Sequence, residues 1–277
     1  MERDRIRTLP QSPPGLGYLQ LLHLADSALP IGALAHSFGL ETLVSRGLLK
    51  VSDLESFLRG YLEETAIAEA VFCREAFLLA ENRADSFSVE RWRHLNASLS
   101  AMKPARETRS GSGALGRNFL LAVNALGNFP VVRGALEDAN QGSNRQHPHV
   151  IEHSPAFGLV GGALEFGKEN VLLAYLHQSV ASFVSACQRL LPLGQNEATR
   201  ILWNLKTAII ETAKRSLAAH VNDVCCFNPL LDWGAMEHPA LGTRLFISRL
   251  DARTQRDRQT ASSCHWRGRP RARITRS

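Results

Sequence analysis

Apolar side chains recur every three to four residues along most of this chain, the spacing that places them on one face of an α-helix. The longest such segment runs to about Glu81 and opens at Ser52 with a Glu three residues later, a capping box typical of a helix N-terminus. No segment alternates apolar and polar residues in the manner of a strand. The pattern therefore predicts an all-α fold, a single-domain bundle of roughly eight to ten helices.

Pro, Gly and polar residues indicate where the helices should begin and end. Ser88 is expected to cap one helix, and Ser154, which precedes a Pro, is expected to cap another. Gly111 and Gly113 each cost about 1 kcal/mol in a helix interior, so they predict a bend. The polar residues 137–153 are predicted to be a loop. Further helices are predicted at residues 19–28, 33–46, 88–102, 114–126, 170–191 and 196–219, with irregular chain at 221–248.

The basic charge of the chain is concentrated at its C-terminal end. The formal net charge is +6, but residues 249–277 alone carry nine Arg and two Asp, which leaves residues 1–248 close to neutral at −1. A nearly neutral body does not favour nucleic-acid binding. Both termini are expected to be disordered, so the predicted domain organisation is a helical domain at 18–248 between flanks at 1–17 and 249–277.

Several features indicate a cytoplasmic protein. The N-terminus lacks the apolar stretch of a secretory signal, and no run of 18 apolar residues indicates a membrane span. The five Cys form no C-x-x-C pair, which is typical of a reducing compartment.

Two segments of the chain partly match motifs of enzymes, but each lacks features that its motif requires. The segment GSGALGRN, 111–118, lacks the Lys and the Ser or Thr of a P-loop, so nucleotide hydrolysis is not expected. The segment AHSFG, 35–39, resembles a relaxed nucleophile elbow centred on Ser37, which His36 and Asp26 could complete as a triad. That motif needs a strand before the Ser and a helix after it, whereas both flanks read as helices. A helical serine hydrolase is therefore the alternative interpretation.

No metal or cofactor site is predicted. His147, His149 and His153 share one polar segment, where imidazoles are more often simply solvated than bound to a metal. The adjacent pair Cys225 and Cys226, with a His five residues before it, does not form a closed four-ligand pattern either.

Five blocks of this sequence, in order from about Leu19 to Ser248, together resemble the UreF family of urease accessory proteins. The first centres on an Asp-Ser, a Pro-x-Gly and a His-Ser-x-Gly-Leu-Glu, and the others carry an Arg-Glu-Thr-Arg, a His-x-Pro, a Pro-Leu-Gly-Gln and an Arg-Leu-Phe-x-Ser. The blocks are LLHLADSALPIGALAHSFGLE, KPARETRSGSGALGR, HSPAFGLVGGAL, RLLPLGQNEATRIL and MEHPALGTRLFIS.

The resemblance implies an all-helical adaptor rather than an enzyme. It further implies a homodimer that binds UreD (also called UreH) and through it recruits the GTPase UreG, which delivers nickel to apo-urease. The residues that the resemblance implies in partner binding come from four of the blocks; they are Asp26, His36, Ser37, Glu41, Arg106, Glu107, Arg109, Gln195, Arg244, Phe246 and Ser248. Among them, Arg244 and Phe246 are of the residue types enriched in binding hot spots. No catalytic residue, metal or cofactor is expected.

We predict that residues 249–277 are dispensable. The family-like ending arrives at Ser248, and the Arg-rich, apolar-poor composition that follows is what a shifted reading frame in a GC-rich gene would produce. Such a segment buries too little surface to offset its ordering entropy. A chain truncated after Ser248 should bind UreD and activate urease at least as well as the full chain. Loss of UreD binding at low salt would instead identify a basic arm that steers acidic partners.

Overall fold

In the computed structural model, the described residues are 15–81, 87–141 and 149–246, and within these ranges the chain is all-α, as predicted. Ten helices are present in the described part of the chain, and no residue there forms a strand. None of these helices is both long enough and apolar enough to cross a bilayer. The predictions for residues 1–14, for the tail 249–277 and for Ser248 lie outside the described residues.

The helices alternate with short connections. In chain order they are α1 Leu16–Leu24, α2 Leu40–Ser45, α3 Leu54–Tyr61 continued by the π-helical Leu62–Ala66 and by Ile67–Glu81, α4 Val89–Ala101, α5 Arg106–Asn124, α6 Pro130–Gln141, α7 His153–Ala163, α8 Lys168–Leu190, α9 Gln195–Asn204 continued by Lys206–Ala218, and α10 Pro229–Glu237. Three 3₁₀ turns lie at Ala33–Ala35, Val51–Asp53 and His238–Ala240.

Helix α7 is the centre of the bundle. Residues 154–162 are all buried, and α3, α5, α6 and α8 pack around them. The contact with α3 is the closest, because Gly158 and Gly162 remove the side chains that would hold the two backbones apart. A Cβ built on Gly158 would lie 1.9 Å from the carbonyl oxygen of Cys73, and one on Gly162 would lie 2.4 Å from that of Phe77.

Helix α3 ends at Glu81 as predicted, but its start differs from the predicted capping box. A 3₁₀ turn precedes the helix, which begins at Leu54. The Ser52 hydroxyl donates to Oδ1 of Asp53 (2.9 Å) rather than capping the helix backbone. The cap predicted for α4 is confirmed, since Ser88 Oγ accepts from the Arg91 amide (3.3 Å).

The predicted bend at Gly111 and Gly113 is wrong, because α5 runs without interruption through both positions. The glycines of α5 serve close packing instead. A Cβ on Gly116 would lie 2.1 Å from the carbonyl oxygen of Ile151, and one on Gly111 would lie 3.1 Å from the Phe38 ring. Helix propensity alone could not reveal these neighbours, since they are distant in the sequence.

The predicted loop at 137–153 is also too long. Helix α6 continues to Gln141, and α7 already begins at His153. Asp138 explains the first difference: it is buried, and the Arg93 side chain donates to it, so this polar residue is paired inside the bundle rather than solvated.

Arg74 fixes the C-terminal end of α9 from inside α3. Its Nη1 donates to the carbonyl oxygens of Ser216, Leu217 (3.1 Å) and Ala219 (2.8 Å). The last carbonyls of a helix have no partner within the helix, so a buried guanidinium that binds three of them replaces a C-cap.

We predict that Gly158→Ala destabilises the protein strongly. The added methyl group would overlap backbone atoms of α3, which cannot move aside as a side chain tip can, so the free energy of unfolding should fall by about 3 kcal/mol, the upper end of overpacking costs. The matched control is Gly60→Ala in α3, where nothing lies within 4 Å of the new Cβ. That variant should gain up to about 1 kcal/mol, since Ala is the better helix former. Equal urea midpoints for the two variants would contradict this account of the α3–α7 contact.

Candidate functional site

The second half of the first block, residues 33–41, is not part of the single helix that was predicted for 33–46. A 3₁₀ turn at Ala33–Ala35 is followed by extended chain at His36 (φ −117°, ψ 131°). Phe38 (φ 49°) and Gly39 (φ 94°) then take left-handed conformations before α2 begins. Gly39 is required there for space as well, because a Cβ would lie 2.5 Å from the Leu231 carbonyl oxygen of α10. This contact presses the start of α2 against α10.

The structure does not provide the setting of a nucleophile elbow. Ser37 lies on neither a helix nor a strand, and only 3% of it is exposed, whereas the motif displays its Ser after a strand. Asp26 is exposed at the corner after α1, where its Oδ1 accepts from the Ala28 amide (2.8 Å). That contact is the ordinary one of an Asp at a turn.

A chain of carboxylate and imidazole groups connects three of the family-like blocks. Oε2 of Glu41 lies 2.7 Å from Nε2 of His238, and Oε1 of Glu107 lies 2.9 Å from Nδ1 of the same ring. His238 is 1% exposed and Glu41 is 5% exposed. Both ring nitrogens therefore face carboxylates, an arrangement that suits the doubly protonated, cationic imidazole.

Glu41 also holds the backbone at Leu245 and Phe246 in place. Its Oε1 accepts from the amide of Leu245 (2.6 Å) and its Oε2 from that of Phe246 (3.2 Å). The Phe246 ring is buried beneath the guanidinium of Arg189, whose Cζ lies 4.3 Å from the ring centroid. We call residues 241–246 the C-terminal segment. A carboxylate of the first block and an Arg of the fourth thus position the C-terminal segment.

The two carboxylates determine the charge of His238. Burial alone would lower the pKa of the imidazole, but the hydrogen bonds to Glu107 and Glu41 and their negative charges outweigh it, so the pKa of His238 is raised above its usual value. The charged form of His238 therefore persists to a higher pH in the folded protein than in the unfolded chain.

The other residues named by the resemblance occupy separate local settings. Arg106 is exposed, and Arg109 donates to the carbonyl oxygens of Lys103 and Pro104 (2.8 Å), beyond the end of α4. Gln195 is exposed and accepts from Gln188 Nε2 (3.0 Å). Arg244 is half-buried and His36 lines a cavity beside α8. Their roles in partner binding stay predictions.

Burial changes how some of those predictions must be understood. Ser37, Glu41 and Phe246 are each at most 5% exposed, so a partner could reach them only if the chain around them moved. In the bundle as it stands, Glu41 and Phe246 position the C-terminal segment. The large apolar side chain that this segment presents outward is Leu245, at 59% exposed.

His238, Arg189 and Leu245 were not singled out from the sequence, although each lies within a quoted block. The signal for His238 is its place in the fifth block beside a Pro. Its partners are 197 and 131 positions away, which no local pattern can reveal. The sequence also did not single out the apolar side chains around α10, which are exposed as follows: Phe227 66%, Leu230 50%, Trp233 39% and Met236 52%.

His149 and His153, two of the three histidines considered as metal ligands, have different surroundings. His149 Nδ1 lies 3.3 Å from Oδ2 of Asp138. His153 is not solvated as expected: it is enclosed beside the Phe119 and Tyr175 rings, and burial lowers its pKa to about 4. His147 lies outside the described residues. Within the described ranges, no three His, Cys, Asp or Glu side chains are grouped as a metal site would require.

The sequence of this chain is similar to those of known proteins. Residues 49–206 match the family model described as UreF. The urease accessory protein UreF of Bradyrhizobium sp. (strain BTAi1 / ATCC BAA-1182) is 30% identical over 230 residues, which cover 83% of this chain and 91% of that protein. The protein of the same name from Actinobacillus pleuropneumoniae serotype 5b (strain L20) is 30% identical over 239 residues, covering 82% and 97%.

We predict that the contribution of Glu107 to stability depends on pH. Because the folded pKa of His238 is raised above the unfolded value of about 6.5, the ion pair stabilises fully below that value and is lost as the pH rises through the folded pKa. The melting temperature of wild type should therefore exceed that of Glu107→Gln most near pH 6 and progressively less toward pH 9.

The control for this prediction is Glu197→Gln. Glu197 forms an exposed pair with Arg200 (3.1 Å) that contains no imidazole, and surface pairs of this kind contribute little to stability. Its effect on the melting temperature should be small and constant. A Glu107→Gln effect that is equally flat would show that His238 is not charged in the folded protein.

Proposed function

The chain belongs to the UreF family of urease accessory proteins, and we propose that it serves urease maturation as a cytoplasmic adaptor. In this proposal a homodimer of the chain binds UreD (UreH), recruits the GTPase UreG and brings both to apo-urease for nickel insertion. The chain itself contributes binding surfaces and no catalytic group. The observation that carries the proposal is the convergence of family-like blocks on the C-terminal segment.

The convergence supports an adaptor because it is built to hold a surface rather than to enclose a substrate. Glu41 binds two consecutive backbone amides, at Leu245 and Phe246, and His238 ties Glu41 to α5 through Glu107. These groups orient a short piece of chain that has no helix or strand of its own. Preorganising a binding segment in this way lowers the entropy cost of docking.

Exposed apolar side chains beside the C-terminal segment supply the chemistry of a protein interface. Leu230, Trp233 and Met236 are spaced three residues apart along α10, and Leu245 projects from the C-terminal segment. Aromatic side chains and Met are enriched in the buried centres of interfaces. We assign this face to the UreD contact.

A second apolar face is available for the proposed homodimer. On α1, Tyr18, Leu19 and Leu22 are 65%, 64% and 50% exposed, although large apolar side chains are usually covered in stable assemblies. Two separate faces allow one chain to hold a second copy and UreD at once. The GTPase activity is assigned to UreG, since the glycine-containing segment of α5 lacks the P-loop Lys.

Co-expression of the tagged chain with its cognate UreD and UreG tests the proposal. We expect a complex that contains all three proteins, and we expect GTP turnover in fractions that contain UreG and none in the chain alone. Capture of neither protein by the folded chain, with no rescue of urease activity in a host that lacks its own copy of the gene, would overturn the proposal.

The matched pair Leu245→Ala and Leu126→Ala tests the assigned face. Both leucines are exposed to a similar extent, 59% and 63%, and Leu126 lies just beyond α5. Truncating a hot-spot residue costs about 2 kcal/mol of binding, roughly thirtyfold in affinity. We expect that loss of UreD affinity for Leu245→Ala only, with both melting temperatures near that of wild type. Equal affinities would place the UreD contact elsewhere.

A further inference from the structure

A cavity of about 110 Å³ with both apolar and polar walls lies among the helices of the bundle, separate from the C-terminal segment. Its walls come from the segment before α2, from α3, α5, α7 and α8, and from the chain around the start of α10. One water needs roughly 10–15 Å³ on this measure, so the cavity has room for a molecule of several non-hydrogen atoms. Asp232, which is half-buried, lies in the wall contributed by α10.

The charge in the cavity wall and next to it is negative. Nζ of Lys103 lies 2.8 Å from Oε1 of Glu69, 2.6 Å from Oε2 of Glu152 and 3.1 Å from Oγ of Ser112. These contacts use all three donors of the ammonium, so Lys103 has none left for an anion. Two carboxylates around one ammonium leave a net charge of −1, and Asp232 adds a further acidic group.

Three polar atoms at the cavity wall have no hydrogen-bond partner within the described part of the chain. They are Oγ1 of Thr65, Oε1 of Gln178 and Nε2 of His153. Gln178 is only 3% exposed, so solvent outside the bundle does not satisfy it. Buried polar atoms are nearly always paired, with protein groups or with water, so these three atoms can bond to water or to a ligand in the cavity. The carbonyl oxygen of Gln178 can only accept, so the occupant must donate.

Aromatic rings form another part of the wall. The ring centroids of Tyr61 and Phe183 are 4.6 Å apart, and Phe38 lies 6.3 Å from Phe183. Faces of aromatic rings attract cations, most strongly where water is excluded. An anion would meet both the negative charge and these ring faces unfavourably.

We propose that this cavity binds a small organic monocation that carries N–H donors, of the alkylguanidinium or alkylammonium class, between the Glu69 carboxylate, the carbonyl of Gln178 and the aromatic wall. This site lies beyond the proposed adaptor function and does not depend on it. His153 is consistent with such an occupant, because burial keeps its imidazole neutral at physiological pH and it adds no competing charge.

Methylguanidinium and methylurea form a matched pair of probes for the full chain. They have the same planar shape and differ in charge, and the methyl protons of both are visible in ligand-observed saturation-transfer NMR. We expect a saturable signal for methylguanidinium at millimolar concentrations and none for methylurea. Equal binding of both probes, or binding of neither up to 50 mM (about a thousandfold weaker than a typical ligand site), would overturn the proposal.

Variants then locate the binding. Glu69→Gln keeps the shape and the acceptor for Tyr175, whose hydroxyl now donates to Glu69 Oε2 (2.5 Å), but it removes the net charge. Removing a charged hydrogen-bond partner should weaken methylguanidinium about tenfold or more. Thr65→Val removes one unpaired hydroxyl of the wall and should weaken the probe severalfold without loss of helicity.

Thr42→Val is the control for Thr65→Val. Thr42 is 0% exposed and its Oγ1 also has no partner among the described residues, but it does not line the cavity. Its probe affinity should equal that of wild type. If Glu69→Gln fails to fold, the two Thr variants decide: equal affinities would overturn the assignment to this cavity. Displacement of the probe by an equal concentration of KCl would identify an inorganic cation site and overturn the organic assignment.

Discussion

The buried ammonium of Lys103 is the interaction on which the arrangement of this bundle depends. It joins Glu69 of α3, Glu152 before α7 and Ser112 of α5. Burial alone would lower the pKa of Lys103, but the two carboxylates raise it, so the ammonium stays charged. Removing one partner from such a group costs about 3–5 kcal/mol, because it leaves an uncompensated charge inside the protein. The three elements are therefore held in one relative position, within which α3 and α7 meet backbone to backbone.

The fixed relative position of these elements also determines where the C-terminal segment lies. Lys103 and Pro104 connect α4 to α5, and Arg109 binds the carbonyl oxygens of both, so the start of α5 is fixed to the buried charge. Glu107 lies at the same end of α5, in its first turn, and its carboxylate contacts the His238 imidazole. Because His238 in turn contacts Glu41, the place of the C-terminal segment follows from where α5 begins. A rigid connection of this kind suits a protein whose proposed role is to present a surface.

The sequence predicted the helices whose apolar residues recur with a strong period. It failed where the local conformation depends on contacts with residues far away in the sequence. The end of α3 at Glu81 and the long helix α8 follow from apolar spacing that any helical bundle would share. Gly111 inside α5 looked like a weakness, because its cost is local while its benefit, room for the Phe38 ring, comes from elsewhere in the chain. The left-handed residues before α2 are a similar case, because Gly39 is required by its close contact with α10. The resemblance brought Glu41 and Glu107 to notice, but their meeting at one imidazole requires the fold.

Leu245 and Phe246 of the C-terminal segment differ in burial, and this difference shows how the Glu41 carboxylate can serve both folding and the proposed recognition of a partner. By binding the amides of Leu245 and Phe246, Glu41 fixes the backbone there without covering the Leu245 side chain. The Phe246 ring is buried beneath Arg189, whereas the neighbouring Leu245 side chain is left 59% exposed. The buried residue supplies the energy that holds the segment, and the exposed residue is free to contact a partner. In the proposed adaptor, recognition at this surface therefore depends on buried residues that no partner needs to touch, and the family resemblance pointed to Glu41 and Phe246 but not to the exposed Leu245.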